Sequence, residues 1–354
     1  MSYLEAVKPY LSDLTLDEPR KLISAICSCG AALGFWGIRG LSGQNVRRFL
    51  TKRSRSESYQ EFDIPKRSGG SRHISAPIEP LKQIQQSLNL MLQTLCEVSD
   101  SATGFVPGRS VVTNASAHLG SSILFNCDLQ DFFPSISKVA VRRALTEELG
   151  ALSPSREVIN IISSLATVPL PDGKEVLPQG APTSPVISNL VLKNLDKRLT
   201  RFAEKNGYRY TRYADDITFS KTGSFNPECP IKTDAILSII KDSGFTVNPK
   251  KTILSTASER KEVTGLTVYK KINVRRRYVK QLRVLLHLWE SRGFAEAQKI
   301  YTRDFRDGYE TNLACVVNGK INYLRMIKGS HDSTYRRFKA RFRVLMQQLK
   351  KQSK

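Results

Sequence analysis

The chain has 354 residues, and its 55 Lys and Arg against 32 Asp and Glu give a formal net charge of +23. That length allows two or three lobes with real cores, and so large a basic excess points to a polyanionic partner held with salt-sensitive affinity. A membrane chain is not indicated, because no apolar run reaches the ~20 residues of a spanning helix. The start, Met1-Ser2-Tyr3-Leu4-Glu5-Ala6, lacks the basic-then-apolar layout of a signal peptide. The six cysteines, at 27, 29, 96, 127, 229 and 315, follow no metal spacing, so they are expected as reduced, mostly buried thiols of a cytoplasmic protein.

Residues 1 to 52 are expected as a helical N-terminal extension. Leu16-Asp17-Glu18-Pro19 starts an apolar helix through about Leu33, and after a Gly-rich break Ser42-Gly43-Gln44 opens a short basic helix. Lys52-Arg53-Ser54-Arg55-Ser56 is a polar connector. Tyr59 to Ile64 and Arg72 to Ala76, on either side of a tight turn at Ser68-Gly69-Gly70, have the pattern of a β-hairpin, and an amphipathic helix follows from Glu79 to about Cys96.

Ser122-Ile123-Leu124-Phe125-Asn126-Cys127 is an apolar run fit for a buried strand, and it ends in Asp128. Helices are predicted over 137–149 and 155–167, a loop carries Gln179-Gly180, and a helix runs from Ser184 to about Glu204. Tyr208 to Arg212 and Ile217 to Ser220 are rich in aromatic and β-branched residues and form the arms of a second hairpin with Tyr213-Ala214-Asp215-Asp216 at its tip. A helix over 232–242, short strands near 252 and 263–269, and helices from about 278 complete the chain. Elements in the order β-α-β-β-α-β give an α+β fold with a split antiparallel sheet backed by helices, rather than a doubly wound parallel sheet.

Two carboxylates on a rigid tight turn repel each other and are costly to desolvate unless a cation lies between them. If the Asp128 strand pairs with the Asp215-Asp216 hairpin, three acids converge. Such a set can hold two Mg2+ ions about 3.5 to 4 Å apart, one activating an attacking hydroxyl and the other bracing a leaving pyrophosphate. An isolated Asp-Asp turn or an Asp after a strand is common; the combination with Leu177-Pro178-Gln179-Gly180-Ala181-Pro182-Thr183-Ser184-Pro185 between them is far more specific.

Asp128 with Phe133 five residues on, the LPQGAPTSP segment, YADD at 213 to 216, and Gly244-Phe245-Thr246-Val247-Asn248-Pro249-Lys250-Lys251-Thr252 resemble the successive motifs of a reverse transcriptase. Asn114-Ala115-Ser116-Ala117-His118 and Val263-Thr264-Gly265 resemble the NAxxH and VTG elements of bacterial retron reverse transcriptases. The similarity covers roughly residues 60 to 330. It implies a right-hand polymerase with fingers over 53–122, a first part of the palm over 123–137 and a fingers/palm insertion over 138–182. The palm resumes over 183–274 with the YADD hairpin and primer-grip-like strands, and a basic helical thumb that binds RNA follows over 275–354.

The resemblance also implies roles. Asp128, Asp215 and Asp216 would be catalytic, forming with Leu129 the metal-ligand set. Phe133 would be the steric gate that rejects a ribose 2′-hydroxyl, with Phe132 its packing partner; chain pattern alone allows both to be core. Lys66 and Arg72, on the first hairpin, would grip the triphosphate, with Lys52, Arg53, Arg55 and Arg67 as backups. Gln179 would lie near the sugar and templating pair. Lys251, or Lys250, would protonate the leaving pyrophosphate.

Asn114 and His118, four apart, would share one helix face, where they either contact RNA or brace the region before the Asp128 strand. Lys270, Lys271, Arg275, Arg276, Arg277, Lys280 and Arg283 form one basic run. Another, around Tyr335-Arg336-Arg337-Phe338, interleaves aromatics with cations; Phe338, Phe342 and Leu345 are expected inward and the cations toward nucleic acid.

A retron reverse transcriptase starts from the 2′-hydroxyl of a guanosine in its own structured noncoding RNA and copies part of that RNA, from dNTPs, into branched multicopy single-stranded DNA that stays bound as an RNA-DNA hybrid. Partners implied are that RNA and its cDNA, an effector protein acting against phage, and a host RNase H, since no RNase H lobe is apparent. The alternatives are a group II intron-like or diversity-generating reverse transcriptase, and an RNA-binding scaffold with a vestigial polymerase site. Against the last, all three candidate metal ligands and the gate are intact.

Overall fold

A computed structural model describes residues 3–35, 49, 51, 55–66, 69–223, 230–256, 259–306 and 311–352. The short helix expected at Ser42, the connector residues Lys52, Arg53 and Ser54, hairpin residues Arg67 and Ser68, and Cys229 lie outside the described residues. The chain folds as two units, one from residues 1–108, 126–218 and 232–253 and the other from 109–125, 219–231 and 254–354.

In the first unit the helices Tyr3–Leu11 and Pro19–Ala32 pack on Leu81–Leu95, and Leu22, Ile26, Leu81, Ile84 and Leu88 are fully buried between them. Pro19 starts its helix because the first turn needs no N–H from it. Strands β1 (Tyr59–Pro65) and β2 (Ser71–Pro77) pair antiparallel, with Ile64 opposite Arg72. The Ser75 N–H donates to the Gln179 carbonyl at 2.9 Å. Gly180 (φ +129) runs so close that a Cβ there would lie 3.1 Å from the Ser75 carbonyl oxygen, so the Gln179-Gly180 loop is stitched onto β2.

The sheet that carries the acids is built from β3 (Ser121–Asp128), β6 (Arg209–Tyr213), β7 (Asp216–Thr222) and β8 (Ile253–Ser255), while β4 (Val168–Pro169) and β5 (Glu175–Val176) form a separate ribbon. The order is β6-β7-β3-β8, and with the intervening helices Lys138–Glu148, Arg156–Ala166 and Thr233–Asp242 it realises the expected β-α-β-β-α-β succession. Asn126 Nδ2 donates to Thr218 Oγ1 at 3.0 Å, and Ser122 Oγ to the Lys221 carbonyl at 3.1 Å. Rising numbers on one strand meet falling numbers on the other, so β3 and β7 are antiparallel. Side chains two apart share a face, so the face that pairs Asn126 with Thr218 also carries Asp128 and Asp216 at neighbouring positions.

Two expectations are corrected and one is refined. The long helix from Ser184 is two, Ser184–Val191 and Lys193–Lys205, because Leu192 turns tightly with its N–H shared between Leu190 and Ser188 carbonyls. The short strands expected over 263–269 are β9 (Glu262–Val263) and β10 (Leu266–Val268), which form a hairpin closed on the other side by β11 (Ile272–Val274). Thr264 (φ +47) and Gly265 (φ +78) supply the left-handed pair that a two-residue hairpin turn demands. Finally, Val111–Ser116 ends before His118, which lies in the following turn with its N–H on the Ala115 carbonyl, so Asn114 and His118 do not share one helix.

The second unit packs Val111–Ser116 and the β9-β10-β11 sheet with the helices Arg276–Arg306, Leu313–Lys328 and Ser333–Gln352. The first of these breaks at Gly293 (φ +72). Phe338, Phe342 and Leu345 are buried, as the helical spacing predicts, around Trp289 and Leu286. Among the described cysteines, Cys29 and Cys127 are buried and Cys315 is exposed, and none is in a disulfide. No described helix is long and apolar enough to cross a membrane.

Candidate active site

The turn that carries the acids is short and strained. β6 ends at Tyr213 and β7 begins at Asp216, leaving Ala214 and Asp215 to reverse the chain, and Ala214 has φ +56. Left-handed backbone costs a residue with a Cβ about 1–2 kcal/mol, so the surroundings must hold it there. Gly104 passes so close that a Cβ on it would lie 2.6 Å from the Ala214 nitrogen. On the other side the Leu129 N–H donates to the Asp215 carbonyl at 3.0 Å, and the Asn248 N–H donates to the Asp128 carbonyl at 2.8 Å. Main-chain hydrogen bonds therefore bring Asp128, the YADD turn and the Asn248-Lys251 segment together.

Electrostatics at this point are dominated by crowded negative charge. Burial, then the charges of Asp215 and Asp128, push the Asp216 carboxyl up to about 7. Burial and then the Asp128 charge raise Asp215 as well. Lys251 Nζ lies 2.9 and 2.8 Å from the two oxygens of Asp128. Desolvation works against its charge, but the hydrogen bond and charge of Asp128 prevail and hold Lys251 above its ordinary value. Of the two adjacent lysines, Lys251 is thus the one on the acids; only the backbone N–H of Lys250 is engaged, by Asn248.

Among the described residues no three His, Cys, Asp or Glu side chains stand ready-grouped as a metal cage. Asp128 is instead neutralised by the lysine. The donors fit a hard divalent cation: carboxylate oxygens whose mutual repulsion such an ion relieves, with an ammonium as its stand-in. Leu129 has a buried side chain and a committed N–H, so as a ligand it offers a carbonyl alone.

Phe132 is buried and Phe133 half-buried, their ring centroids 5.0 Å apart. Phe133 continues to Phe105 at 6.2 Å, and Phe105 to Tyr213 at 6.4 Å, an aromatic row alongside the acids. Gln179 is half-buried, and Lys66 and Arg72 are exposed at the end of the β1-β2 hairpin. Arg55 is no exposed backup to them: it is 1% exposed and its Nη2 donates to Glu175 at 2.6 Å. A guanidinium excluded from water needs a carboxylate partner, and Glu175 supplies it.

In the second unit Asn114 and His118 are fully buried, and His118 Nδ1 is 2.7 Å from Ser220 Oγ on β7. Arg275, Arg276 and Arg277 are exposed, with Arg275 paired to Glu262. Arg276, Arg277, Lys280, Arg283 and Lys328 line a cavity of about 1200 Å3 together with Phe305. Arg336 and Arg337 are exposed; Arg336 contacts His331, and the Arg337 guanidinium sits 5.5 Å from the Phe338 ring centroid.

Sequence reasoning passes over Phe105, Arg212 and Asp196. Arg212 and Asp196 are both fully buried and joined by two hydrogen bonds, 2.8 and 2.7 Å long. The available signal was a lone cation inside the strand arm Tyr210-Thr211-Arg212-Tyr213, next to the acids. Phe105 gave less, an aromatic among loop residues Gly104 and Pro107.

An antiparallel sheet with acids at the facing ends of its two central strands, backed by helices, is the palm of a right-hand polymerase. Residues 64–268 match the family described as reverse transcriptase (RNA-dependent DNA polymerase). The retron Mx65 reverse transcriptase of Myxococcus xanthus is 38% identical over 247 residues, spanning 66% of this chain and 57% of that one. The retron Mx162 reverse transcriptase of the same organism is 37% identical over 303 residues, spanning 78% and 62%. The retron Ec73 reverse transcriptase of Escherichia coli is 31% identical over 244 residues, spanning 66% and 75%. The chain covers about three fifths of the length of the two Myxococcus relatives. It belongs to the reverse transcriptase family, on the branch formed by the retron enzymes.

The raised Asp216 carboxyl makes stability depend on pH. Because its folded value, about 7, lies above the 3.8 of an unperturbed Asp, the stability held below the lower value is lost progressively as pH rises between the two, and the loss is complete above about 7. In chelating buffer, Asp216→Asn is expected to be more stable than wild type by about 2 kcal/mol at pH 8 and by about half that at pH 5.5. Denaturant titrations of both proteins at the two pH values measure this.

Proposed function

We propose that the chain is the RNA-directed DNA polymerase of a retron. It copies part of its own structured noncoding RNA into branched multicopy single-stranded DNA, starting from the 2′-hydroxyl of a guanosine in that RNA, and serves in defence against phage with an effector protein. The observation that carries the polymerase reading is the meeting of Asp128, Asp215-Asp216 and Lys251 within one unit of a chain whose relatives are retron reverse transcriptases. A host RNase H would remove the template, and the work would be done in the cytoplasm.

In the reaction the attacking hydroxyl loses its proton to solvent as its oxygen bonds to the α-phosphorus of a dNTP, and the bond to the pyrophosphate oxygen breaks. Asp128, Asp215, Asp216 and the Leu129 carbonyl would hold two Mg2+ ions, which when bound supply Lewis-acid activation of the hydroxyl and charge neutralisation on the phosphates. Lys251, kept protonated beside Asp128, gives its proton to the departing pyrophosphate. Arg72 and Lys66 close on the triphosphate from the β1-β2 hairpin. Phe133 lies under the sugar and clashes with a 2′-hydroxyl, and Gln179 borders the sugar and templating pair.

Primer extension on the RNA transcribed beside the gene tests the reading. Wild type is expected to make cDNA, and Asp128→Ala to lose synthesis at least a thousandfold while retaining the RNA; a wild-type chain that binds the RNA and makes no cDNA is the vestigial scaffold instead. Phe133→Ala should lower the dNTP-over-rNTP preference at least tenfold in single-nucleotide incorporation, and an unchanged ratio removes the gate. Charge reversal at Arg275, Arg276 and Arg277 should weaken RNA binding and flatten its dependence on salt by about 0.7–0.9 in log-log slope for each phosphate no longer neutralised, read from binding isotherms at several salt concentrations.

A further inference from the structure

We propose that Arg212, held by Asp196 and Asn189, is a positioning residue that sets the direction of the Asp215 side chain by fixing the peptide plane before it. The inference rests on the polymerase reading above for its consequence, and on geometry for its mechanism. Arg212 Nε and Nη2 donate to the two carboxylate oxygens of Asp196 at 2.8 and 2.7 Å. That leaves Nη1, which donates to Asn189 Oδ1 at 3.0 Å and to the Ala214 carbonyl at 3.1 Å. Asn189 is itself oriented, since its Nδ2 donates to the Gly104 carbonyl at 3.0 Å. All three side chains are fully buried.

The Ala214 carbonyl and the Asp215 N–H belong to one planar peptide. Pinning that carbonyl fixes the plane entering Asp215, and the Leu129 N–H on the Asp215 carbonyl fixes the plane leaving it. With both planes held, the φ and ψ of Asp215 are determined, and so is the vector of its Cα–Cβ bond. The strand behind is held too, because the Arg212 carbonyl accepts from Thr103 N–H and Oγ1 at 2.7 and 2.9 Å. The kink at Leu192 brings Asn189, on one helix segment, and Asp196, on the next, to the same guanidinium. A buried ion pair alone is weak grounds for stability; the forked bond into a left-handed turn residue is what such a pair can do that apolar packing cannot.

The test compares Arg212→Lys with Tyr210→Phe. The Tyr210 hydroxyl donates to Asp196 at 2.7 Å, so its loss perturbs the buried cluster while the Arg212 Nη1 donor to the Ala214 carbonyl stays in place. Three quantities are measured: the primer-extension rate at saturating dNTP, the affinity for Mn2+ by electron paramagnetic resonance without substrate, and RNA binding. Arg212→Lys should cut the rate at least thirtyfold and weaken Mn2+ at least fivefold, with RNA affinity within twofold; Tyr210→Phe should leave all three within twofold. Wild-type rate and Mn2+ affinity in Arg212→Lys, or equal losses in both variants, overturn the proposal. Should Arg212→Lys fail to fold, the double variant Arg212→Met with Asp196→Leu, which replaces the pair by apolar groups, is read against the same thresholds. If wild type itself makes no DNA, the polymerase reading falls and the Mn2+ comparison alone decides the positioning role.

Discussion

Strand pairing forces like charges together here, and the rest of the centre answers that constraint. The β3–β7 alignment sets Asp128 beside Asp216, and the two-residue turn adds Asp215, although three carboxylates of one sign repel and lose hydration on burial. One response is visible in the protein as it stands: Lys251 neutralises Asp128, and Asp216 becomes a weak acid. The other is mechanical. The turn is clamped by Leu129, Gly104 and Arg212, so repulsion cannot relax by moving the backbone. Crowded carboxylates on a backbone that cannot relax are donors that a hard divalent cation would meet with little reorganisation.

Much of the fold was legible because its elements announce themselves locally. The apolar run into Asp128, the strand arms around YADD and the amphipathic helices each carry their own periodicity. The breaks were harder. Leu192 is a good helix residue, and nothing local to it marks the kink that brings Asn189 and Asp196 to one arginine. Val263 and Thr264 are residues that favour strands, yet Thr264 takes a left-handed conformation that its sequence does not advertise.

The candidate residues split along the same line. Asp128, Asp215 and Asp216 were visible as acids at strand ends, and Lys251 was reached by motif, but the choice between Lys250 and Lys251 needed side-chain geometry. Asn114 and His118 offered no solvent signal either way, and their burial follows from long-range packing. Arg212 went unnoticed because a cation between aromatic strand residues reads as an edge residue facing water; its carboxylate partner is sixteen positions earlier, on a different element. Arg55 was missed in the opposite direction, taken for surface in a polar connector whose Glu175 partner is 120 residues away.

The stitch between Ser75 and Gln179 makes the first hairpin a lever with a fixed fulcrum. From Ser75 to the strand end at Ser71 is four residues, about 13 Å of extended chain, and a tilt of roughly five degrees at the fulcrum shifts the tip by about 1 Å over that reach. Arg72 rides on the outer arm while Gln179 stays at the pivot. Any rocking of the hairpin about that bond therefore moves Arg72 while leaving the loop at Gln179 nearly stationary, so the two positions are mechanically separable.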